Sequence, residues 1–431
     1  AMPYQGTRRY LEDRVTETLD LSYGIHWPFE QRQSARGIRR TPLHDRVASA
    51  GAVFGEAVGW ERANWYATGD VEPRYRYSFK HPNWFTCSAA EHCAVRRGVG
   101  VLDLSSFGKL LVQGRDAERF LQRICANDLN AGPDRIVYTQ WLNERGGIEA
   151  DVTVTRLASD QFLVLTAALS TVRDTDWLRK HSGPGDFVTV TDVSNGWAML
   201  AVMGPRSRDL LAEMTDADLS NDAFPFGTSR EIDLGYAIVR ATRITYVGEL
   251  GWELLIPAEM AVHVYDQLVS VGAAHGLVHA GYHALDSLRM EKAYRSWGHD
   301  IGPDDTPLEA GLGFAIAWSK PGFIGREALV AQREQGVRRR LVQLVLDDPQ
   351  ALAHHDEPVL RDGVIAGKVT SGAYGHTVGA TVCLAYIEAD RTVTAEWLKA
   401  GHYQVDIAGS LITATLSLTP TYDPRSERVR G

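Results

Sequence analysis

Cysteine is scarce in this sequence, which has four in 431 residues: Cys87, Cys93, Cys125 and Cys383. A disulfide framework is typical of short secreted chains with a much higher cysteine content, so the sequence excludes that class. Cys87 and Cys93 flank His92, but their spacing matches no common zinc site, and no second pair of Cys or His follows. We therefore predict no metal site, and reduced thiols in a cytoplasmic enzyme.

Long apolar runs and an excess of basic residues are also missing. No segment approaches the ~18 consecutive apolar residues that a membrane-spanning helix needs. The formal net charge is −9, from 45 Lys and Arg against 54 Asp and Glu, whereas a nucleic-acid-binding domain usually carries a basic patch. We therefore expect neither a membrane nor a nucleic acid as a partner.

The glycine motifs that bind nucleotides are incomplete. A flavin or nicotinamide domain needs a strand, a GxGxxG turn and a helix, but Gly311-Leu312-Gly313 lacks the third glycine. The segment from Gly363 to Lys368 is one residue short of a P-loop, and Val369 stands where Ser or Thr is needed. We therefore predict that this chain binds no FAD. A hydrolase triad is also unsupported, because no nucleophile elbow is present.

The chain divides into three parts by composition. Residues 1–41 form a polar, Arg-rich arm that cannot make a core alone and must pack on something else. Residues 42–325 alternate short strands, glycine turns and amphipathic helices, such as the one with apolar Ala117, Phe120, Leu121 and Ile124 at helical spacing. Residues 326–431 contain six short predicted strands, which indicate a small barrel or sandwich. The fold class is therefore α+β with a C-terminal β-barrel domain.

Asp151 is the first candidate for chemistry. It follows the paired glycines Gly146 and Gly147 at the start of a predicted strand, so its carboxylate can project into a cleft in a fixed direction. There it could hold a protonated group or order a reacting amine. From this pattern alone, a carboxylate that caps the turn is the alternative.

Glu253 is the second candidate, within the segment Tyr246-Val247-Gly248-Glu249-Leu250-Gly251-Trp252-Glu253. A planar heterocycle with an aminopyrimidine edge needs a carboxylate for its N–H donors and flat side chains beside its rings. Glu253, with Tyr246 and Trp252, could supply both. A hairpin that carries surface acids is the alternative.

Together these segments resemble the aminomethyltransferase family, which includes the glycine-cleavage T-protein. The matching segments occur in the family's order over about residues 41–431. They are Thr41–His44, Gly100–Ser105, Cys125–Leu129, Tyr138–Asn143, Gly146–Asp151, Met203–Pro205, Tyr246–Glu253, Asp286–Glu291, Thr306–Glu309 and Phe323–Leu329. Because many independent short matches occur in one order, the resemblance is specific for the fold.

Within the family, the sequence is most similar to the C-terminal half of dimethylglycine and sarcosine dehydrogenases. Residues 59–65, 284–292 and 420–424 are typical of that half, and residues 1–41 resemble the stretch that follows its FAD-binding part. Ala150 stands where glycine-cleavage members usually have a first Asp, and Leu285 stands where they have Arg. These departures suit the dehydrogenase-associated branch and weaken an assignment as a T-protein that acts with a lipoyl carrier.

The resemblance implies tetrahydrofolate as cofactor, with 5,10-methylene- or 5-methyl-tetrahydrofolate as product. It places Asp151 at the folate amine as the catalytic residue, Glu253 at the pterin, and Tyr138 and Tyr246 in the pocket. Three functions then compete. The chain is a transferase that moves a one-carbon group from a methylated small molecule, the folate half of a split or truncated dehydrogenase that needs a flavoprotein partner, or a folate-binding protein without catalysis.

Overall fold

The computed structural model describes residues 2–431. This range contains eleven α-helices: α1 (Arg8–Leu21), α2 (His44–Ser49), α3 (Phe85–Arg97), α4 (Ala117–Ile124), α5 (Thr171–His181), α6 (Ser207–Ala212), α7 (Ala261–His275), α8 (Tyr282–Glu291), α9 (Arg326–Gln335), α10 (Ala395–Lys399) and α11 (Glu427–Arg430). In the described part of the chain, no helix is both long and apolar enough to cross a membrane.

Nineteen strands accompany these helices: β1 (Ala52–Ala57), β2 (Trp60–Tyr66), β3 (Gly100–Asp103), β4 (Gly108–Gln113), β5 (Ile136–Leu142), β6 (Ile148–Ala158), β7 (Gln161–Thr166), β8 (Thr189–Asp192), β9 (Trp197–Met203), β10 (Ser229–Leu234), β11 (Ala237–Thr242), β12 (Gly251–Pro257), β13 (Val278–His279), β14 (Arg339–Leu346), β15 (Pro358–Arg361), β16 (Val364–Gly375), β17 (Ala380–Glu388), β18 (Tyr403–Ile407) and β19 (Ser410–Ser417). They form a hairpin, two open sheets and a barrel.

The N-terminal arm packs on the hairpin of β1 and β2. Arg36 forms a bidentate ion pair with Glu61 of β2, whose carboxylate also accepts a hydrogen bond from the Gly37 amide. Residues 8–21 form α1, although the arm shows no sustained periodicity in the sequence. None of the α1 residues is buried, and the polar contacts that fasten the arm include Arg14 of α1, whose guanidinium lies 3.3 Å from the Glu56 carboxylate of β1.

One open sheet has the strand order β5-β6-β7-β4-β8. Helix α4 covers one of its faces, and its four apolar residues are fully buried against the strands. The spacing predicted this apolar face, because residues three and four apart lie on the same side of a helix.

The other open sheet has the order β10-β11-β12-β9-β3-β13. Its outer face packs against α7 through residues such as Val264 and Leu268, with Leu254 and Ile256 of β12 beneath them. Its inner face contributes Met199, Ala201, Met203 and Leu255 to a hydrophobic core between the two open sheets, which also contains Leu163 and Leu165 of the five-stranded sheet. The two open sheets therefore face one another.

The C-terminal strands close into a six-stranded barrel in the order β14-β17-β16-β15-β18-β19. The prediction of six strands after Gly325 is confirmed, and the α+β class with a barrel is confirmed with it. Three short helices, α9, α10 and α11, also lie in this region; the sequence pattern did not indicate them. The barrel closes because β14 pairs with both β17 and β19, which leaves no free sheet edge.

Helix α8 joins the barrel to the sheets. The carboxylate of Glu291 accepts hydrogen bonds from the Thr377 amide at 2.7 Å, the Val378 amide at 3.1 Å and the Arg96 guanidinium of α3 at 2.9 Å. The hydroxyl of Ser287 donates to the Tyr374 carbonyl at 2.6 Å. These buried polar bonds fix the barrel against α3 and α8.

Candidate active site

The turn before β6 fixes the direction of Asp151. Gly146 has a φ of +84°, and a Cβ on Gly147 would lie 1.8 Å from the Pro303 carbonyl oxygen, so both positions favour glycine. The side chain of Asn143 caps this turn by accepting hydrogen bonds from the amides of Arg145 and Gly147, both at 3.0 Å.

Asp151 therefore does not cap the turn. Strand β6 begins at Ile148, so Asp151 lies inside the strand, directly opposite Gln140 of β5. The Gln140 amide Nε2 donates to Asp151 Oδ1 at 2.8 Å, and the Tyr138 hydroxyl adjoins the same carboxyl. The turn-cap alternative is wrong because Asn143 performs that task.

The surroundings of Asp151 are poorly solvated. Burial raises the pKa of its carboxyl to about 6, although the donors on Gln140 and Tyr138 and the charge of Arg295 act in the opposite direction. The Arg295 guanidinium is held by the carbonyl oxygens of Ala293 at 2.6 Å and Ala310 at 2.8 Å. Asp151 is thus a carboxyl group whose protonation changes close to neutral pH.

Glu253 lies on the inner face of β12, opposite Ala201 of β9. Its carboxylate is half-buried and has no hydrogen-bond partner among residues 2–431. Burial raises its pKa to about 7, and the charge of Lys109 on β4 opposes this rise. The second alternative, a hairpin with surface acids, is therefore also wrong: Glu249 is buried against Arg96, and Glu253 is in the middle of a sheet.

Lys109 crosses from the five-stranded sheet toward the other sheet. Its side chain is fully buried, and its Nζ donates to the Ser105 carbonyl at 2.7 Å. Burial lowers its pKa to about 8, while the nearby Asp103, Asp192 and Glu253 act in the opposite direction. Lys109 and Glu253 are thus a cation and an acid supplied by facing sheets.

Two pairs of nearly parallel rings lie near these acids. Tyr138 stacks with the exposed Phe314 at a centroid distance of 6.2 Å and an angle of 25°. Tyr246 stacks with Tyr294 at 5.9 Å and 19°, and its hydroxyl donates to the Arg295 carbonyl at 2.9 Å. Arg295 therefore connects two parts of the site. Its backbone carbonyl accepts the hydrogen bond from Tyr246, and its charge acts on Tyr138 and Asp151.

Trp252 does not belong to this group, which corrects its assignment as a binding residue. Its side chain is fully buried in the core on the outer face of β12, where its ring makes an edge contact with Phe224 at 6.1 Å. Neighbouring residues of a strand point to opposite faces, so Trp252 and Glu253 cannot both face the same ligand.

Three residues of the site were missed from the sequence: Gln140, Lys109 and Arg295. Period-two alternation from Tyr138 places Gln140 on the same face, so this signal was present in the sequence. Lys109 and Arg295 reach the acids only through the packing of distant elements, and no local pattern marks them. In residues 2–431 no group of three or more His, Cys, Asp or Glu could hold a metal ion.

Three family models match the chain. The GCVT N-terminal domain matches residues 43–320, the glycine cleavage T-protein C-terminal barrel domain matches residues 339–423, and the FAD dependent oxidoreductase central domain matches residues 2–41. Among solved structures, the glycine cleavage system aminomethyltransferase T from Bartonella henselae superposes with a TM-score of 0.76 and 26% identity, covering 90% of this chain and 99% of that one.

Curated relatives agree with these matches. The 4-methylaminobutanoate oxidase (formaldehyde-forming) of Paenarthrobacter nicotinovorans is 43% identical over 99% of this chain and 51% of the relative. Human mitochondrial sarcosine dehydrogenase is 35% identical over 98% and 50%, and the aminomethyltransferase of Desulfitobacterium hafniense is 32% identical over 84% and 93%. The chain spans about half the length of the first two. The chain belongs to the aminomethyltransferase family of the glycine cleavage T-protein, and sarcosine and dimethylglycine dehydrogenases are among its relatives.

Proposed function

We propose that this chain binds a reduced folate between its two open sheets and transfers a one-carbon group between that folate and a methylated small molecule, such as an N-methyl amino acid. The observation that carries the proposal is Glu253, a half-buried carboxylate in a sheet interface with no donor among the described residues. Burial of a carboxylate is unfavourable unless donors compensate it, and a ligand that brings N–H donors would do so.

The residues around Glu253 fit a pterin. Its aminopyrimidine edge offers parallel N–H donors, which match the two oxygens of one carboxylate. Lys109 favours the ionised form of Glu253, which is the form that accepts two hydrogen bonds. The rings of Tyr138 and Tyr246 offer flat surfaces for the aromatic parts of the ligand.

Asp151 is the proposed catalytic residue. Tetrahydrofolate supplies an amine that can carry a one-carbon group, and a carboxyl with a pKa of about 6 can take up or release a proton at neutral pH. Gln140 and Tyr138 hold this carboxyl in one direction, and Arg295 places a positive charge nearby. We expect the hydrophobic residues of the core between the two open sheets to exclude water from behind the site.

Calorimetry with tetrahydrofolate tests the proposal. We expect Glu253→Gln to weaken binding strongly, because a charge-assisted hydrogen bond contributes about 1.5–3 kcal/mol. Glu91→Gln is the matched control: Glu91 is also a buried acid with a raised pKa, but it binds the amides of Tyr66 and Gly281, so its loss should affect stability and not affinity. Equal affinities of wild type and Glu253→Gln for tetrahydrofolate would show that Glu253 does not bind the ligand.

A flavin-bearing partner is the second part of the proposal. Residues 2–41 match part of an FAD-dependent oxidoreductase central domain, and α1 exposes an apolar stripe of Leu11, Val15 and Leu19, which are 48%, 51% and 63% exposed. Residues spaced by four lie on one helix face. We propose that a flavoprotein module covers this stripe and delivers the one-carbon unit as an iminium or formaldehyde equivalent.

The probe for this partner is the part of the Paenarthrobacter oxidase that this chain does not match, about half of that protein, produced separately and loaded with FAD. Sedimentation should show a complex with the chain that Val15→Lys and Leu19→Lys abolish. Leu411→Lys, at a 50% exposed position on the barrel, serves as the control and should retain the complex. Equal binding by all variants would exclude α1 as the contact surface.

A further inference from the structure

Gln140 is a direct polar neighbour of Asp151. The two residues are direct cross-strand partners in β5 and β6, and the amide Nε2 lies 2.8 Å from Asp151 Oδ1. Gln140 has no exposed surface, so packing restricts its side chain to this arrangement.

The other end of the same amide is unsatisfied. Gln140 Oε1 is buried and has no hydrogen-bond partner in the described part of the chain. A buried acceptor without a partner destabilises the fold, whereas an apolar side chain of similar shape would avoid that cost. A glutamine here is therefore explained by what its Nε2 does rather than by packing.

We propose that Gln140 is the positioning residue for Asp151: its Nε2 binds Oδ1 and, together with the Tyr138 hydroxyl, fixes the direction in which the carboxyl faces the ligand. This inference rests on the proposed function for its catalytic consequence, but not for its effect on the Asp151 carboxyl. Hydrogen bonding to the charged form of an acid favours that form, so the donor opposes the effect of burial.

Other groups also act on this carboxyl. The Tyr138 hydroxyl on β5 and the Arg295 charge, from the segment after α8, both favour the ionised form of Asp151, and Tyr246 faces the same region. They remain in a Gln140 variant, so Asp151 should lose one stabilising contact and not all of them.

The test is Gln140→Met, which keeps the length of the side chain and removes the donor. In protein labelled with ¹³C at the aspartate carboxyls, the Asp151 signal is assigned by its absence in Asp151→Asn, and its titration is followed by NMR. We expect the pKa of Asp151 to rise by roughly one unit. One-carbon transfer should then fall about fivefold at pH 6 and approach the wild-type rate at pH 9, since the ionised fraction recovers there.

Gln343→Met is the matched control. Gln343 is also buried, and it donates to the Met290 carbonyl at 2.6 Å in the contact between α8 and the barrel. Its loss should lower the melting temperature without moving the Asp151 titration or the pH profile. Gln140→Leu provides a second variant if Gln140→Met does not fold.

An unchanged Asp151 titration in a folded Gln140 variant would overturn the inference, whatever the activity. If the wild-type chain neither binds folate nor transfers a one-carbon group, the proposed function fails, while the titration still decides the role of Gln140. A moved titration with an unmoved pH profile would show that Asp151 ionisation does not limit transfer, which also overturns the inference in its catalytic part.

Discussion

Replacing Asp151 by Asn should separate stability from catalysis. The substitution keeps the shape of the side chain and an acceptor for Gln140, but removes the charge. In the folded protein the carboxyl has a pKa of about 6 instead of the usual 3.8, which corresponds to about 3 kcal/mol in favour of the protonated form. The folded chain thus holds the ionised Asp151 at a cost in stability.

The raised pKa of Asp151 makes the stability of the folded chain depend on pH. Between about pH 4 and pH 6 the folded state binds more protons at Asp151 than the unfolded state does, so stability falls as the pH rises through this window. Above this pH window the loss of stability is complete and no longer changes with pH. Asn cannot ionise, so the variant should match wild type at pH 4 and exceed its unfolding free energy by up to about 3 kcal/mol at pH 8.

Catalysis should change in the opposite direction. Loss of a general acid–base group typically reduces the rate by about 10²–10⁴-fold, while folate affinity should remain close to wild type because Glu253 is intact. The measurements are urea unfolding at pH 4 and pH 8 and transfer of labelled one-carbon units to tetrahydrofolate. Formaldehyde or the iminium product of a flavin partner serves as donor when no direct donor is found.

Two results would refute this reasoning. Full turnover in the Asn variant would show that Asp151 is not catalytic and would favour a folate-binding protein without this chemistry. A variant that is less stable than wild type at pH 8 would show that the ionised carboxyl is well compensated in the fold, contrary to its raised pKa.

Three further outcomes are expected. Lys109→Met should raise the pKa of Glu253 above about 7 and weaken folate binding at pH 7 by up to about tenfold, with recovery at pH 9. Calorimetry at pH 7 and pH 9 checks this, and weakening that does not depend on pH would contradict it. The purified chain should lack the visible absorbance band of an oxidised flavin, and a stoichiometric yellow cofactor would disprove that expectation. Glu291→Gln should lower the unfolding free energy by about 1–3 kcal/mol, because the buried Arg96 keeps its pair with Glu249 but loses the one with Glu291; a near-wild-type denaturation curve would refute this.

The sequence predicted most of the fold where the signal is local. The apolar spacing of α4 and the six C-terminal strands depend on residues that are close along the chain, and both are present. Helix α1 was missed although part of its signal is local: Leu11, Val15 and Leu19 are spaced by four, which is helical spacing, but this stripe is short and lies among charged residues.

The candidate site was predicted in part for a different reason. Asp151 and Glu253 stand in segments with recognisable glycine turns, whereas their partners do not. Gln140 depends on the register of β5 and β6, and Lys109 meets Glu253 only because two sheets pack face to face. Trp252 was predicted to bind the ligand because it adjoins Glu253 in the sequence. Neighbouring residues of a strand point to opposite faces, so its side chain lies on the other side of β12.

The segment Asp286–Glu291 shows why a specific motif need not mark the chemistry. Its Ser287, Arg289 and Glu291 are buried and bind other parts of the chain rather than facing a ligand: Ser287 and Glu291 contact the barrel, and Arg289 pairs with Asp300 at 2.6 Å. A polar group buried in such a joint is costly to replace because its partners would be left unsatisfied. The motif therefore reports how the barrel is fixed to α3 and α8, whereas the proposed site residues Asp151 and Glu253 lie on β6 and β12. Leu285, which stands where glycine-cleavage members have Arg, is 6% exposed in the core between the two sheets, so in this chain that position contributes packing and no charge.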